Sequence, residues 1–519
     1  MRVKNSIINI LFGLGNQIAI TSLSFFSRTV FINTLGIEYL GVNGLLTNIL
    51  AMLSLAEAGI GASIVYSLYK PVAENDHRKI NILMKFYRNC YFVIAIIILL
   101  LGLLIMPFLS FFIKDSNVNN IHLIYIIFLL NTVLPYLYVH KNQFLYVCQK
   151  AYIVTGIYTL SSIITLCLKI SILHFTHNYI LYLVIDSITI LLTSIILVKI
   201  VNIMYPYLKN KVIGTLDKDM KQSITKNVKA IILQNLGNYL VVGTDNIIIS
   251  SFISVAAVGL YSNYNMLIEI CRNFTNQISN NIYHSVGNLV AEENIEKIFS
   301  IFKIYRLLTF WLYSQFSIIL YIVISPFISL WIGKAFLMND NVLLVLLLIF
   351  YERGMRNAIS TVKTTAGIFH EDRYVPIFQA AINLIFSIVL VHYIGIMGVF
   401  MGTLVSTIAG PFWATPYLVY KKVFRKPIFN YYLTYFYFAI IGIATYFLVN
   451  LACSSIIIDS WLNLIISSIV CIIVPNIIYI LIFRNTDEFK YLLNIIKSFI
   501  LKIVNKFKKN KIYKTGISK

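Results

Sequence analysis

Gln17, Thr21, Ser24 and Arg28 recur at i, i+4, i+7 and i+11 along an otherwise apolar stretch, so on a helix they form one polar stripe that ends in a guanidinium. A second stripe, Asn265, Glu269, Arg272, Asn276 and Asn280, runs down another apolar stretch, and Gln234, Asn238 and Asp245 mark a third. A fourth stretch holds Glu352, Arg353, Arg356 and Lys363. Glu352 and Arg356, at i, i+4, can pair with each other, which still leaves that helix net positive. Glu57 is the acid of a further apolar segment. An ionisable group at the centre of a bilayer costs about 2.5–3.5 kcal/mol, so each of these side chains needs water, a polar partner or a ligand. Arg28 and Arg272 sit on stripes that cannot face lipid, and a guanidinium suits an anionic ligand. Lys141 and Lys169 lie near the ends of their segments, where snorkelling or pairing with a neighbour accounts for them. Asp186 completes the set.

The elements that carry these residues are membrane helices. The 519-residue chain is 59% hydrophobic and only 12% charged, against about 45–50% and about 25% in soluble domains. Fourteen apolar stretches of spanning length are read at 7–32, 42–69, 89–113, 121–147, 151–174, 178–201, 229–253, 257–286, 305–332, 342–365, 374–394, 396–420, 430–453 and 461–483. Spanning backbone must satisfy its own hydrogen bonds, so the expected class is all-α. The first stretch is too long for a signal peptide, lacks a small-residue cleavage site and carries Gln17, Ser24 and Arg28, so it is read as a retained helix.

Val72–Arg88 (VAENDHRKINILMKFYR) returns as Val290–Arg306 (VAEENIEKIFSIFKIYR) without a gap, 218 residues on. The same offset pairs Gly41 with Gly259. The chain is thus read as two copies of one module. Six helices separate each residue from its mate; an even number preserves orientation, which makes the copies parallel repeats. The expected organisation is an N-lobe at 1–201, a cytoplasmic connector at 202–228, a C-lobe at 229–420, a helix pair at 421–483 and a basic amphipathic tail at 484–519 lying at the membrane surface.

The net charge of +22 has a topological address. Of 42 Lys and Arg, only Lys114 and Lys334 lie in one set of alternate loops, while the other set and both ends are lysine-rich. Both termini are therefore expected on the cytoplasmic side, with the basic excess serving orientation and lipid headgroups and no nucleic-acid partner. No glycine-rich phosphate loop is present, the eight histidines have no metal spacing and the six cysteines no paired spacing. Hence ATP hydrolysis, a metal site and a disulfide framework are not expected. No outer loop is long enough for a catalytic domain, which argues against an integral glycosyltransferase or polymerase.

SRTVFINTLGIEYLGVNGLLTNIL (27–50), LSLAEAGIGASIVYSLYKPVAEND (53–76) and TDNIIISSFISVAAVGLYSNYNML (244–267) resemble the signatures of the O-antigen and capsule repeat-unit flippase branch of the multidrug/oligosaccharidyl-lipid/polysaccharide exporter superfamily. The resemblance implies fourteen helices in two six-helix lobes plus a final pair. It also implies translocation of undecaprenyl-pyrophosphate-linked oligosaccharide across the bacterial cytoplasmic membrane by alternating access, with no enzymatic step. Cationic cavity residues of both lobes would take the pyrophosphate, here Arg28 and Arg272, and asparagine-rich walls the sugar hydroxyls. Glu57 matches the acid of the family's Ala-Glu motif, while Met52 stands where the peptidoglycan-precursor branch has an arginine. With Arg28, Arg272 and Glu57, the in-span charges Asp245, Glu269, Arg353, Arg356 and Lys363 complete the expected substrate-binding set. No cofactor is expected, and the driving force, a coupling ion or the membrane potential, is left open. Membrane lipids, a polysaccharide polymerase and chain-length machinery are the partners implied. Alternatives are export of teichoic acid or another lipid-linked polymer, and multidrug/cation antiport, whose members carry a carboxylate on the first helix where this chain has Arg28. A scaffold protein would need no polar stripes.

Overall fold

The computed structural model describes residues 20–57, 60–113, 118–148, 150–210, 222, 240–241, 243–292, 294–368, 371–494 and 497. Gln17, Gln234 and Asn238, most of the connector and most of the tail lie outside these residues, and so does the side chain of Asn280.

The helices, in order, are α1 (20–35), α2 (Ile37–Leu53), α3 (Ile60–Ala73), α4 (His77–Ile105), α5 (Leu109–Phe112), α6 (Ile121–Val133), α7 (Val139–Val147), α8 (Ala151–Thr176), α9 (Tyr179–Met204), α10 (243–252), α11 (Val255–Glu292), α12 (Ile295–Trp331), α13 (Asp340–Thr365), α14 (Val375–Ile394), α15 (Ile396–Ala409), α16 (Pro411–Val419), α17 (Phe429–Cys453) and α18 (Trp461–Phe483). The described residues contain no strand, and the protein is an all-α, multi-pass membrane protein. Eight helical segments among them are long and apolar enough to cross a bilayer, or nine if α6 and α7, bent by 46° to each other, make one span. The shortfall from fourteen has physical sources. The second span is broken by a 3₁₀ turn at Ser54–Glu57, α1 and α10 adjoin residues outside the description, and α11 and α13 are long but carry the polar residues singled out above.

The repeat governs where helices begin and end. α2 and α11 start 218 residues apart, at Ile37 and Val255, and so do α4 and α12, at His77 and Ile295. α7 and α13 end at Val147 and Thr365, and α8 and α14 at Thr176 and Ile394, again 218 apart. The reason is local where it can be followed. Asp76 accepts the Lys79 N–H at 3.0 Å and so caps the start of α4; its mate Asn294 accepts the Lys297 N–H at 3.0 Å and caps α12. Each satisfies one of the backbone donors that a helix start leaves open.

By packing, the chain falls into two units that divide it differently from the sequence repeat. The first is Met1–Ser262 with Pro376–Gly402, the second Asn263–Val375 with Thr403–Lys519. In the first unit the starts of α2 and α11 cross at backbone distance. A methyl group at Gly41 would lie 1.9 Å from the Val255 carbonyl oxygen, and one at Gly259 2.5 Å from the Ile37 carbonyl oxygen. Only glycine admits such an approach, the small-residue contact by which membrane helices bring their backbones together. In the second unit α12 is the central pillar. Phe310 stacks on Phe438 of α17 with ring centroids 4.5 Å apart. Trp311 donates to Asn476 Oδ1 of α18 at 2.8 Å, and Asn476 donates back to Gln315 Oε1 at 3.0 Å. The beginning of the basic tail docks here too, through Lys303–Glu488 at 3.1 Å and the stacking of Phe489 on Trp311.

Candidate functional site

In the first unit, α1 carries Arg28 to the start of α11. Its Nη1 donates to the Ser262 carbonyl oxygen at 3.0 Å and to Ser262 Oγ at 3.1 Å. The repeat mates of these residues are Asn246 and Gly44, and they meet as well: a methyl group at Gly44 would be 3.8 Å from Asn246 Nδ2. One contact has therefore been kept in both copies and its chemistry changed in one, so that a single guanidinium stands where its mate has a neutral amide. Beside Asn246, Asp245 is buried on α10. Thr244 donates to Asn383 Oδ1 at 3.3 Å and ties α10 to α14.

Glu57 ends the 3₁₀ turn that interrupts the second span. It accepts the Tyr91 hydroxyl of α4 at 2.5 Å, and the Tyr91 ring packs edge-on against Tyr87, centroids 4.8 Å apart. Both tyrosines are fully buried. The start of α3 can approach them because residue 61 is glycine, where a methyl group would sit 2.3 Å from Tyr91 Oη and 3.2 Å from Tyr87 Oη.

The second unit holds the other candidates, largely in ion pairs. Arg272 binds Glu269 one turn back on α11. On α13, Arg356 Nε lies 3.0 Å from Glu352 Oε1 and Nη2 donates to Glu352 Oε2 at 3.1 Å. The two helices are joined next to these pairs, since Asn357 donates to Ser279 Oγ at 3.0 Å. Thr275 donates to Tyr313 Oη of α12 at 3.0 Å. The Tyr313 ring in turn fills the space a side chain at Gly354 would need, 2.0 Å from that methyl position. Lys363 binds Asp372, in the turn that follows α13, and Lys422 binds Glu371. Glu352 and Asp372 thus balance Arg356 and Lys363, and Arg353 is the third, half-buried cation of α13. The structure brings Glu269 to Arg272 and Glu352 to Arg356 at helical spacing, and gives Lys363 a carboxylate that its sequence neighbourhood did not disclose.

Sequence reasoning passed over one further feature. Lys169 of α8 and Asp186 of α9 form a 2.5 Å ion pair in the wall of a cavity of about 410 Å³. That wall includes Ser24 of the first polar stripe. Lys169 belongs to the pairing that its position allowed, but the cavity gives it a setting that hydropathy alone does not reveal. In the second unit an apolar cavity of about 320 Å³ lies among α12, α13 and α17, lined by Tyr321, Leu344, Leu347, Leu348, Ile443 and Tyr446 among others. Among the described residues no three His, Cys, Asp or Glu side chains converge as a metal site would require. The arrangement offers charge and hydrogen bonds for holding a ligand.

No protein-family model matches the chain, and no curated protein matches it in sequence. Solved structures do match it in fold. A lipid II flippase, MurJ, in an inward closed conformation superposes with a TM-score of 0.68 at 14% identity, over 92% of this chain and 99% of that one. An inward-facing multidrug resistance transporter of the MATE family and MOP superfamily gives 0.60 at 14% identity, over 77% and 96%. A point mutant of the MATE transporter VcmN of Vibrio cholerae gives 0.53 at 14% identity, over 80% and 95%. The chain has the fold of these multi-pass transporters.

Proposed function

We propose that this protein is a flippase of the polysaccharide branch of that superfamily. On this reading it moves undecaprenyl-pyrophosphate-linked oligosaccharide repeat units across the bacterial cytoplasmic membrane by alternating access, for O-antigen, capsule or exopolysaccharide synthesis. The observation that carries the reading is Arg28, a guanidinium held inside a membrane unit by Ser262, at a place where the repeat mate is neutral. An arginine fork matches phosphate oxygens in a way that a point charge does not. The likeness over 92% of the chain to a lipid II flippase supports a lipid-linked ligand. The apolar cavity of the second unit suits a hydrocarbon chain. Arg272, Glu269, Arg353, Arg356, Lys363, Glu57 and Asp245 complete the proposed substrate-binding set; both termini are proposed to be cytoplasmic, and a polymerase consumes the product on the far side.

The likeness to multidrug transporters favours a second reading, antiport of organic cations. The experiment that separates the two is transport by the purified protein in liposomes. Uptake of a fluorescent, pyrophosphate-linked polyprenyl oligosaccharide without uptake of a cationic dye supports the flippase. The opposite pattern establishes the antiporter.

A further inference from the structure

The cavity beside Lys169 and Asp186 is unlike an ordinary buried ion pair, because most of its polar wall is hydroxyl. Besides the pair and the apolar Ile20, Pro135, Leu166 and Ile190, it is lined by eight hydroxyl residues, among them Ser24, Tyr158, Ser162 and Ser194. Several of these hydroxyls have already spent their single proton. Thr165 donates to the Ser161 carbonyl at 2.7 Å, Thr189 to the Ile185 carbonyl at 2.8 Å, and Ser161 and Thr193 share one hydrogen bond at 2.6 Å. A hydroxyl whose proton is engaged offers only lone pairs to a further ligand. Ser24, Ser162, Ser194 and Tyr158, whose Oη accepts from Asn142 at 2.9 Å, can also turn a lone pair toward a cation, so to a cation the wall offers hydroxyl acceptors and the one negative charge of Asp186. Hard oxygens with a single carboxylate are the donor set of a monovalent cation, since a divalent ion calls for more formal charge.

That cation is already present, covalently attached to α8. The Lys169 ammonium lies 2.5 Å from Asp186 Oδ2 and 4.1 Å from the centroid of the Tyr182 ring, over its face. Carboxylate on one side and π-face on another make the environment that stabilises a desolvated ammonium. We propose that the hydroxyl-lined cavity of the first unit is a monovalent-cation site whose occupant is the chain's own Lys169 ammonium, so that this cavity offers no free carboxylate to an ion from solution. The inference does not depend on what the protein transports.

The test compares the thermal stability of the purified full-length protein in choline chloride with that in sodium, potassium or methylammonium chloride at one ionic strength. The wild type should show the same Tm in all four salts. K169A should melt lower in choline and regain about 2 °C or more, saturably, with a small cation, whereas K169A/D186N should show no selective gain. A K169A protein indifferent to the cation, or a wild type that gains as much as K169A, overturns the proposal and leaves Lys169–Asp186 a structural pair. Should K169A fail to accumulate, D186N supplies the reciprocal arm. It leaves the ammonium without its carboxylate, so chloride should stabilise it over gluconate; equal Tm in the two salts overturns the proposal.

Discussion

Gly41 lies against the carbonyl oxygen of Val255, 1.9 Å from where its side chain would begin, and the mate pair Gly259 and Ile37 repeats the contact at 2.5 Å. The obstacle in both cases is main chain, which cannot swing aside as a side-chain tip does. Gly41→Ala and Gly259→Ala should each destabilise by at least the ~1–3 kcal/mol of an overpacked core, Gly41→Ala more. Gly44→Ala, whose nearest neighbour is 3.5 Å away, should be close to neutral. Thermal melts of the three purified variants in one detergent check the order.

Arg28→Ala should abolish export of polysaccharide while the protein remains inserted and abundant, and Arg28→Lys should restore only part of it. Ser262→Ala removes one of the two acceptors that Ser262 offers Arg28 and leaves the carbonyl oxygen, so its effect should be slight. Complementation of a flippase-null strain, with membrane levels measured in parallel, decides the matter. Full activity of Arg28→Ala would remove the guanidinium from the mechanism.

Lys363, half-buried, and Asp372, buried, are in contact, so removing either strands a charge, at up to about 3–5 kcal/mol where the pair is fully buried. Lys363→Ala and Asp372→Ala should each cost more stability than the double variant. The double variant also tests function. If Lys363 serves only Asp372, a stable double variant should transport normally; if Lys363 also holds substrate, transport should fail in it despite restored stability.

Gly61→Ala would press on the Tyr91 hydroxyl that holds Glu57. Gly61→Ala should therefore melt lower than wild type, and Gly61→Ala/Tyr91→Phe should recover much of the loss because the offending oxygen is gone. The double variant would still lack the hydrogen bond to Glu57. A transport defect that persists after stability returns would tie that bond to function.

Reporter fusions after Asn210 and Lys519 should behave as cytoplasmic, and fusions near Asn119 and Asn339 as external. A translocated reporter at Asn210 would overturn the proposed topology and the parallel repeat with it.

What was legible in the sequence was whatever is local or periodic. The seventeen-residue repeat pointed to helix boundaries that coincide 218 residues apart. Glu352–Arg356 needed only the helical period, whereas Glu269 and Arg272 were placed on one stripe without their pairing being read. Lys363–Asp372 spans a turn and Lys169–Asp186 joins two helices, so no spacing rule reveals either. A lysine near a helix end reads as snorkelling until its neighbours are placed, and a cavity leaves no periodic mark. The crossing of Gly41 with Val255 was half visible, since the two glycines were paired by the repeat, but what each one faces depends on the fold.

The bend between α6 and α7 has a counterpart that does not bend. Pro135, in the 3₁₀ turn between them, is the repeat mate of Arg353, in the middle of the continuous helix α13. A proline ring crowds the carbonyl one turn back and cannot donate to it; here Asn131 stands one turn back, and its Oδ1 accepts from Ser187 of α9 at 2.6 Å. One ancestral helix has thus acquired two occupations, a corner in the first copy and a rod bearing charge in the second. Exchanging the two segments would not return the same protein, because the duplication has become a division of labour.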